Sequence, residues 1–169
     1  MIDRANKVIG FTCGSFDLLH AGHALMLEEA KSHCDWLIVG LQTDPSIDRK
    51  SKNKPVMSLE ERHTMIRSIR WVDEVRVYET EADLLELLKE IQPDVRVVGA
   101  DWQGKAFTGH ELPIRVVFNS RLHTYSTTSL RLRVYEAERK KLYDEDSAVR
   151  ESWSNAVIKS TDRKKNLEP

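Results

Sequence analysis

The sequence is poor in the features of oxidised, membrane-bound or nucleic-acid-coating proteins. It has two cysteines, Cys13 and Cys34, too few for a disulfide framework, and each lies beside an apolar segment where a reduced thiol acts as a small hydrophobe. No apolar run approaches the roughly eighteen residues of a membrane span, and the opening Met-Ile-Asp-Arg-Ala-Asn-Lys carries no signal-peptide core. A cytoplasmic chain with no membrane partner is expected. Charge of one sign is also missing. There are 26 Lys and Arg against 27 Asp and Glu, a formal net charge of -1, so no global basic field favours nucleic acid as a partner. Any anion has to be bound locally.

What is present is enough for one domain: 169 residues, 40% hydrophobic and 31% charged. Val8–Cys13 reads as a strand, with a helical apolar pattern from Leu25 onward. Trp36–Leu41 reads as a strand buried on both faces, followed by a lysine-rich polar loop from Gln42 to Lys54. Ser58 with Glu61 forms a capping-box signature before an apolar stripe through Leu59, Met65 and Ile66. Glu74–Tyr78 is a short strand, Ala82–Ile91 a helix stopped by Gln92-Pro93-Asp94, Val95–Val98 a strand and Ile114–Phe118 another. A closing helix is expected from Ser126 to Leu142.

This order predicts an α/β, Rossmann-like single domain in which a five-stranded parallel sheet is flanked by helices, with ligands outside the carboxyl ends of its strands. The globular domain is expected over residues 1–143. Residues 144–169 read as a peripheral helix with Val149, Trp153, Ala156 and Val157 on one face, then a polar tail disordered from about Thr161.

The chemistry concentrates in Gly14-Ser15-Phe16-Asp17-Leu18-Leu19-His20-Ala21-Gly22-His23, between the first strand and the first helix. Two histidines three apart share a face of an opening helical turn, where free N–H groups and the helix dipole favour phosphate. Gly22 removes a side chain at the closest approach, and Gly14 lets the preceding turn come near a ligand. Taken alone, the pair is also readable as surface or helix-capping residues, and a metal site completed by Cys13 or Cys34 is a further option that lacks a paired-cysteine signature.

Four blocks in order carry a resemblance over Val8–Arg133. They are the segment just quoted, then Glu61-Arg62 with Ile69-Arg70-Trp71-Val72-Asp73-Glu74-Val75, then Gly99-Ala100-Asp101-Trp102-Gln103-Gly104-Lys105, and Tyr125-Ser126-Thr127-Thr128. Together they resemble the His-x-Gly-His cytidylyltransferases, and within them the glycerol-3-phosphate cytidylyltransferases. The resemblance implies transfer of CMP from CTP to a small alcohol phosphate, sn-glycerol 3-phosphate above all, giving CDP-glycerol and pyrophosphate. It further implies Mg²⁺ carried by the nucleotide phosphates, with no metal held by protein side chains, and a homodimer.

By the same resemblance His20, His23, Lys50 and Arg121 are catalytic. Gly14, Ser15, Phe16, Asp17, Gly22, Lys52, Arg70, Asp101, Ser126, Thr127 and Thr128 bind the nucleotide. Transfer at an α-phosphorus builds charge on phosphate oxygens and the departing pyrophosphate, which positioned donors and cations stabilise. Lysines on a mobile loop and arginines with paired donors suit that role; solvated charge is the plain alternative for Lys50 and Lys52, and a surface ion pair for Arg62, Arg70 and Arg121. Trp102 either stacks on a ligand or fills the core.

The chain departs from the family pattern at Ala100, where a carboxylate is usual, and at Leu122-His123-Thr124-Tyr125, where a threonine and a glycine are usual. Two alternatives stay open: an adenylyltransferase acting on a sugar phosphate such as heptose 1-phosphate, and a catalytically idle nucleotide-binding module.

Overall fold

The computed structural model describes residues 6–165, those from 148 onward by their backbone alone. Its elements are β1 (Ile9–Gly14), α1 (Ala21–Lys31), β2 (Trp36–Gln42), α2 (Leu59–Arg67), β3 (Glu74–Tyr78), α3 (Glu81–Ile91), β4 (Val95–Val98), a 3₁₀ turn (Ala100–Trp102), β5 (Arg115–Phe118) and α4 (Thr127–Lys165). All strand pairs are parallel, in the order β3-β2-β1-β4-β5. The sheet is the one the strand–helix alternation predicts. β1 stands between β2 and β4, so the chain reverses its direction of travel across the sheet there, and a crevice opens at the carboxyl ends of β1 and β4.

The two-residue period of the strands decides what each face buries. Leu37, Val39 and Leu41 of β2 pack with Leu27 and Ala30 of α1 and Ile66 of α2. Ile9, Phe11 and Ile38 point the other way, onto Leu84, Leu87, Leu88 and Ile91 of α3. Each of those four α3 side chains contributes roughly 2 kcal/mol of burial. Capping boxes open α2 (Ser58 with Glu61) and α3 (Thr80 with Asp83). Gln92 ends α3 in the left-handed region at φ 48°, directly before Pro93.

The chain divides into two compact units, residues 1–127 and 128–169. The first holds the sheet, flanked by helices. In the second, α4 continues without a break across the expected boundary at 143/144 and reaches Lys165. The helix expected as a separate one is therefore the same helix, which runs as far as Lys165. The reason is local: residues 128–165 contain no glycine or proline and are rich in Glu, Lys, Arg, Leu and Ala. The side chains of Val149, Trp153, Ala156 and Val157 lie outside the described residues. Among the described residues no helix is long and apolar enough to cross a membrane.

Candidate active site

The turn leaving β1 is the most contorted backbone of the sheet's carboxyl edge. Phe16 and Leu18, both non-glycine, take φ 48°, a region that costs an L-residue about 1 kcal/mol or more. Their neighbour Asp17 fixes the turn. It is 5% exposed, and its Oδ1 accepts from the backbone N–H of Val56 and Met57 at 3.0 and 2.9 Å. Phe16 anchors the turn from the other side, its ring 3% exposed and packed with Leu27, Leu37 and Ile66. Of the residues expected at the nucleotide, Phe16 thus buries its side chain in the core, and Asp17 Oδ1 is bonded to the β2–α2 loop.

Beyond this turn the helix starts four residues earlier than the apolar pattern suggested, because a histidine caps it. His20 Nδ1 accepts from Gly22 N–H at 3.1 Å, and His20 N–H donates to His23 Nδ1 at 3.3 Å. This is a capping box built from two imidazoles. The rings stack, centroids 4.0 Å apart and planes 23° from parallel. With both Nδ1 atoms accepting, each neutral ring carries its proton on Nε2. His20 Nε2 lies 3.3 Å from Thr127 Oγ1, which lies 3.4 Å from the Asp17 carbonyl. The proton order is then Nε2–H to hydroxyl and hydroxyl to carbonyl.

The His23 pKa is lowered to about 4, by burial first and by neighbouring His20 second, with Asp17 pulling weakly the other way. At neutral pH His23 is an uncharged ring whose Nε2–H remains a donor. Around it lies the N-terminal turn of α1, whose dipole favours an anion, with Gly22 N–H taken by His20 Nδ1 and His23 and Ala24 N–H by the His20 carbonyl. Gly22 completes it: a methyl built there would lie 2.8 Å from His123 Cε1 and 3.0 Å from His20 Cε1. At Gly14 an added Cβ would meet only the Phe16 ring, at 3.5 Å or more, so the packing of the protein does not itself require glycine there.

Arg62 is the residue whose role the sequence concealed. It is 2% exposed, neither a surface ion-pair partner nor a phosphate ligand. Its guanidinium donates to four carbonyls: Ser15 O and Gln42 O through one amino group (2.8 and 2.7 Å), Thr43 O through the other (2.6 Å) and Met57 O through Nε (3.2 Å). Burial lowers its pKa, and Asp17 and Asp44 oppose that shift. Ser15 thus serves the site through its carbonyl. Arg62 and Asp17 together bind the β1 turn to both ends of the β2–α2 loop, on which Lys50 and Lys52 are exposed.

The β4 side is fastened by a second buried arginine. Arg96, the one charged residue of the Val95–Val98 strand, donates to Thr108 O, lies 3.8 Å from Cys13 Sγ and stacks over Phe107 at 5.1 Å. A lone arginine in an apolar strand was the signal available for it. Asn119 Oδ1 accepts from Ala100 N–H at 2.8 Å, setting the turn after β4. Asp101 is exposed and ion-paired with Arg121, so the structure brings these two expected site residues together. Trp102 leans edge-on against Phe107, which meets Phe118 in turn; its ring fills the β4–β5 loop.

Ser126 and Thr127 are half-buried, Thr127 touching the His20 turn, and Thr128 is exposed at the start of the second unit. Arg70 is not brought to the site within one chain. It lies over Trp71 at 4.1 Å in the turn feeding β3, at the amino edge of the sheet and opposite the histidines. Cys13 and Cys34 are unbridged, and among the described residues no group of three His, Cys, Asp or Glu is placed to hold a metal.

A doubly wound parallel sheet with donor-bearing imidazoles on a helix N-terminus at its switch point defines a domain for handling nucleotide phosphates. The chain belongs to the cytidylyltransferase-like family, whose model matches residues 11–133. It is 37% identical over 130 residues to the bifunctional protein HldE of Campylobacter fetus, covering 76% of this chain and 28% of that one. It is 40% identical over 127 residues to HldE of Caulobacter vibrioides, covering 72% and 26%. The chain thus spans about a quarter of the length of these relatives. Among solved structures it is similar to a lipopolysaccharide core biosynthesis protein from Thermoplasma volcanium, with a TM-score of 0.58 and 26% identity, over 71% of this chain and 99% of that one. Pantothenate synthetase from Thermus thermophilus shares the fold at a TM-score of 0.50 and 15% identity, over 66% of this chain and 55% of that one.

Proposed function

We propose that this chain transfers a nucleotidyl group from a nucleoside triphosphate to the phosphate of a small acceptor, and that the pair is ATP and a sugar phosphate such as heptose 1-phosphate. The observation that carries the transfer is the His20–His23 capping box. It leaves His23 Nε2–H to hold a phosphate oxygen at the positive end of the α1 dipole. An acceptor phosphate oxygen attacks the α-phosphorus, the bond to the bridging oxygen breaks, and pyrophosphate leaves. A phosphate dianion is already nucleophilic near neutral pH, so no general base is required. The charge gathering on the α-phosphate and on pyrophosphate meets fixed donors rather than reorganising water. Magnesium enters bound to the triphosphate, as part of the substrate.

The choice of acceptor rests on two supports: the 37–40% identity to HldE proteins and the likeness to a protein of lipopolysaccharide core biosynthesis. The block Asp101-Trp102-Gln103-Gly104-Lys105 favours a second reading, CTP with glycerol 3-phosphate. Pyrophosphate release, measured for ATP and CTP each against heptose 1-phosphate and glycerol 3-phosphate, separates them. Turnover with ATP and the sugar phosphate is expected. Turnover confined to CTP and glycerol 3-phosphate selects the second reading, and nucleotide binding without turnover of either acceptor identifies an idle module. A homodimer is part of the proposal and is read by sedimentation.

A further inference from the structure

We infer that His123 is a third imidazole of the phosphate site, donating through Nδ1 to an oxygen of the bound triphosphate or pyrophosphate; this rests on the reading that polyphosphate occupies the N-terminus of α1. Three observations meet at this residue. His123 Cε1 and His20 Cε1 both crowd the position a Gly22 side chain would take, at 2.8 and 3.0 Å, so the His123 ring lies against the first turn of α1. Nδ1, bonded directly to that Cε1, is buried and has no hydrogen-bond partner. Tyr125 packs on the ring at 5.3 Å, tilted 33°, which limits how far it can turn.

A buried imidazole nitrogen without a partner is unfavourable in the free protein and is satisfied once a ligand supplies the missing group. The neighbourhood selects an anion. The adjoining amides are those of a helix N-terminus, and Asp17 Oδ1 is already engaged by Val56 and Met57. His20 cannot serve in the same way through Nδ1, which caps Gly22. His123 carries no such commitment at Nδ1, so a small turn of the ring, which uncovers Nδ1, gives its donor to the ligand.

The test is calorimetric titration of the whole chain with magnesium pyrophosphate, which has no base or sugar, and with a non-hydrolysable ATP analogue. His123→Ala is expected to weaken both by about tenfold or more, as for a hydrogen bond to a charged group. His123→Asn, whose amide nitrogen can stand near the position of Nδ1, is expected to recover most of the loss. Unchanged affinity in His123→Ala overturns the inference and leaves the ring as packing. Should that variant fail to fold, nitrogen NMR of the wild-type ring decides: the Nδ1 resonance moves on adding pyrophosphate, and a stationary resonance overturns the inference. Pyrophosphate binding that depends on His123, without turnover of any acceptor, sinks the functional reading alone. Turnover with His123-independent binding sinks this inference alone, and a wild type that binds no pyrophosphate sinks both.

Discussion

His23 caps the residue that caps its own helix: His20 N–H donates to His23 Nδ1 while His20 Nδ1 accepts from Gly22 N–H. The exchange fixes both tautomers and leaves His23 Nε2–H as a donor. Removing that donor while keeping the cap separates catalysis from folding. His23→Asn retains an acceptor toward His20 but lacks the reach of Nε2, so kcat for pyrophosphate release is expected to fall roughly a hundredfold. Its melting temperature should stay close to wild type. A variant with normal kcat would remove His23 from transition-state stabilisation.

The depressed pKa of His23 has a signed consequence for stability. The folded ring titrates at about 4 and the unfolded ring near 6.5, so between those values the unfolded chain binds the extra proton. Stability contributed by the neutral ring is full above about pH 6.5 and is lost as pH falls toward 4. The loss is on the order of 3 kcal/mol. Urea unfolding at pH 7 and at pH 4.5 measures it, and the drop should be smaller in His23→Asn, where carboxylate titrations remain and cancel in the comparison.

Gly22 tests packing against propensity. Alanine is favoured over glycine inside a helix by about 1 kcal/mol, yet its methyl would enter within 3.1 Å of three ring atoms of His20 and His123. Overpacking of that kind costs about 1–3 kcal/mol, and His123, being partly exposed, can give way. Gly22→Ala is therefore expected to change stability by less than about 1 kcal/mol while raising KM for the triphosphate at least severalfold. Steady-state kinetics and a denaturation curve on the same sample check both halves.

The sheet was legible because its signals are local: β-branched runs, a Ser58–Glu61 box and the Gln92-Pro93 stop each act within a few residues. The histidine turn was legible for the same reason. Arg62 was not, because its four acceptors come from residues 15, 42, 43 and 57, and only the folded loops bring those carbonyls to one point. Asp17 carries a tie of the same kind. Its place in the motif suggested a ligand, whereas its Oδ1 bonds to amides some forty residues away. Arg70 lies in a matched block, but the parallel sheet puts it at the edge opposite the histidines.

Arg62→Lys keeps the charge and loses the geometry. An ammonium on a flexible stem has three donors and cannot span carbonyls that a planar guanidinium reaches together. With at least one buried carbonyl left unpaired, stability is expected to fall by about 2–3 kcal/mol. Hydrogen exchange should show where: amides of Val56 and Met57, held by Asp17, lose protection before those of β1. Equal protection across both segments would mean that Arg62 does not fasten the loop.

Arg121 separates stability from function in the opposite sense. It sits at φ 42° without being glycine, a conformation that glycine adopts with no steric penalty, and its partner Asp101 is exposed, where an ion pair contributes about 1 kcal/mol or less. Arg121→Gly relieves the backbone while removing the guanidinium, so its unfolding midpoint should match or exceed wild type. If the guanidinium also swings from Asp101 to the departing pyrophosphate, the same variant loses kcat/KM by tenfold or more. Asp101→Asn, which frees the arginine, should then lower KM for the triphosphate. A stable Arg121→Gly with unaltered kinetics would confine Arg121 to its pair with Asp101. Relief of strain combined with loss of turnover would mark it as a residue held in an unfavourable conformation for its chemistry.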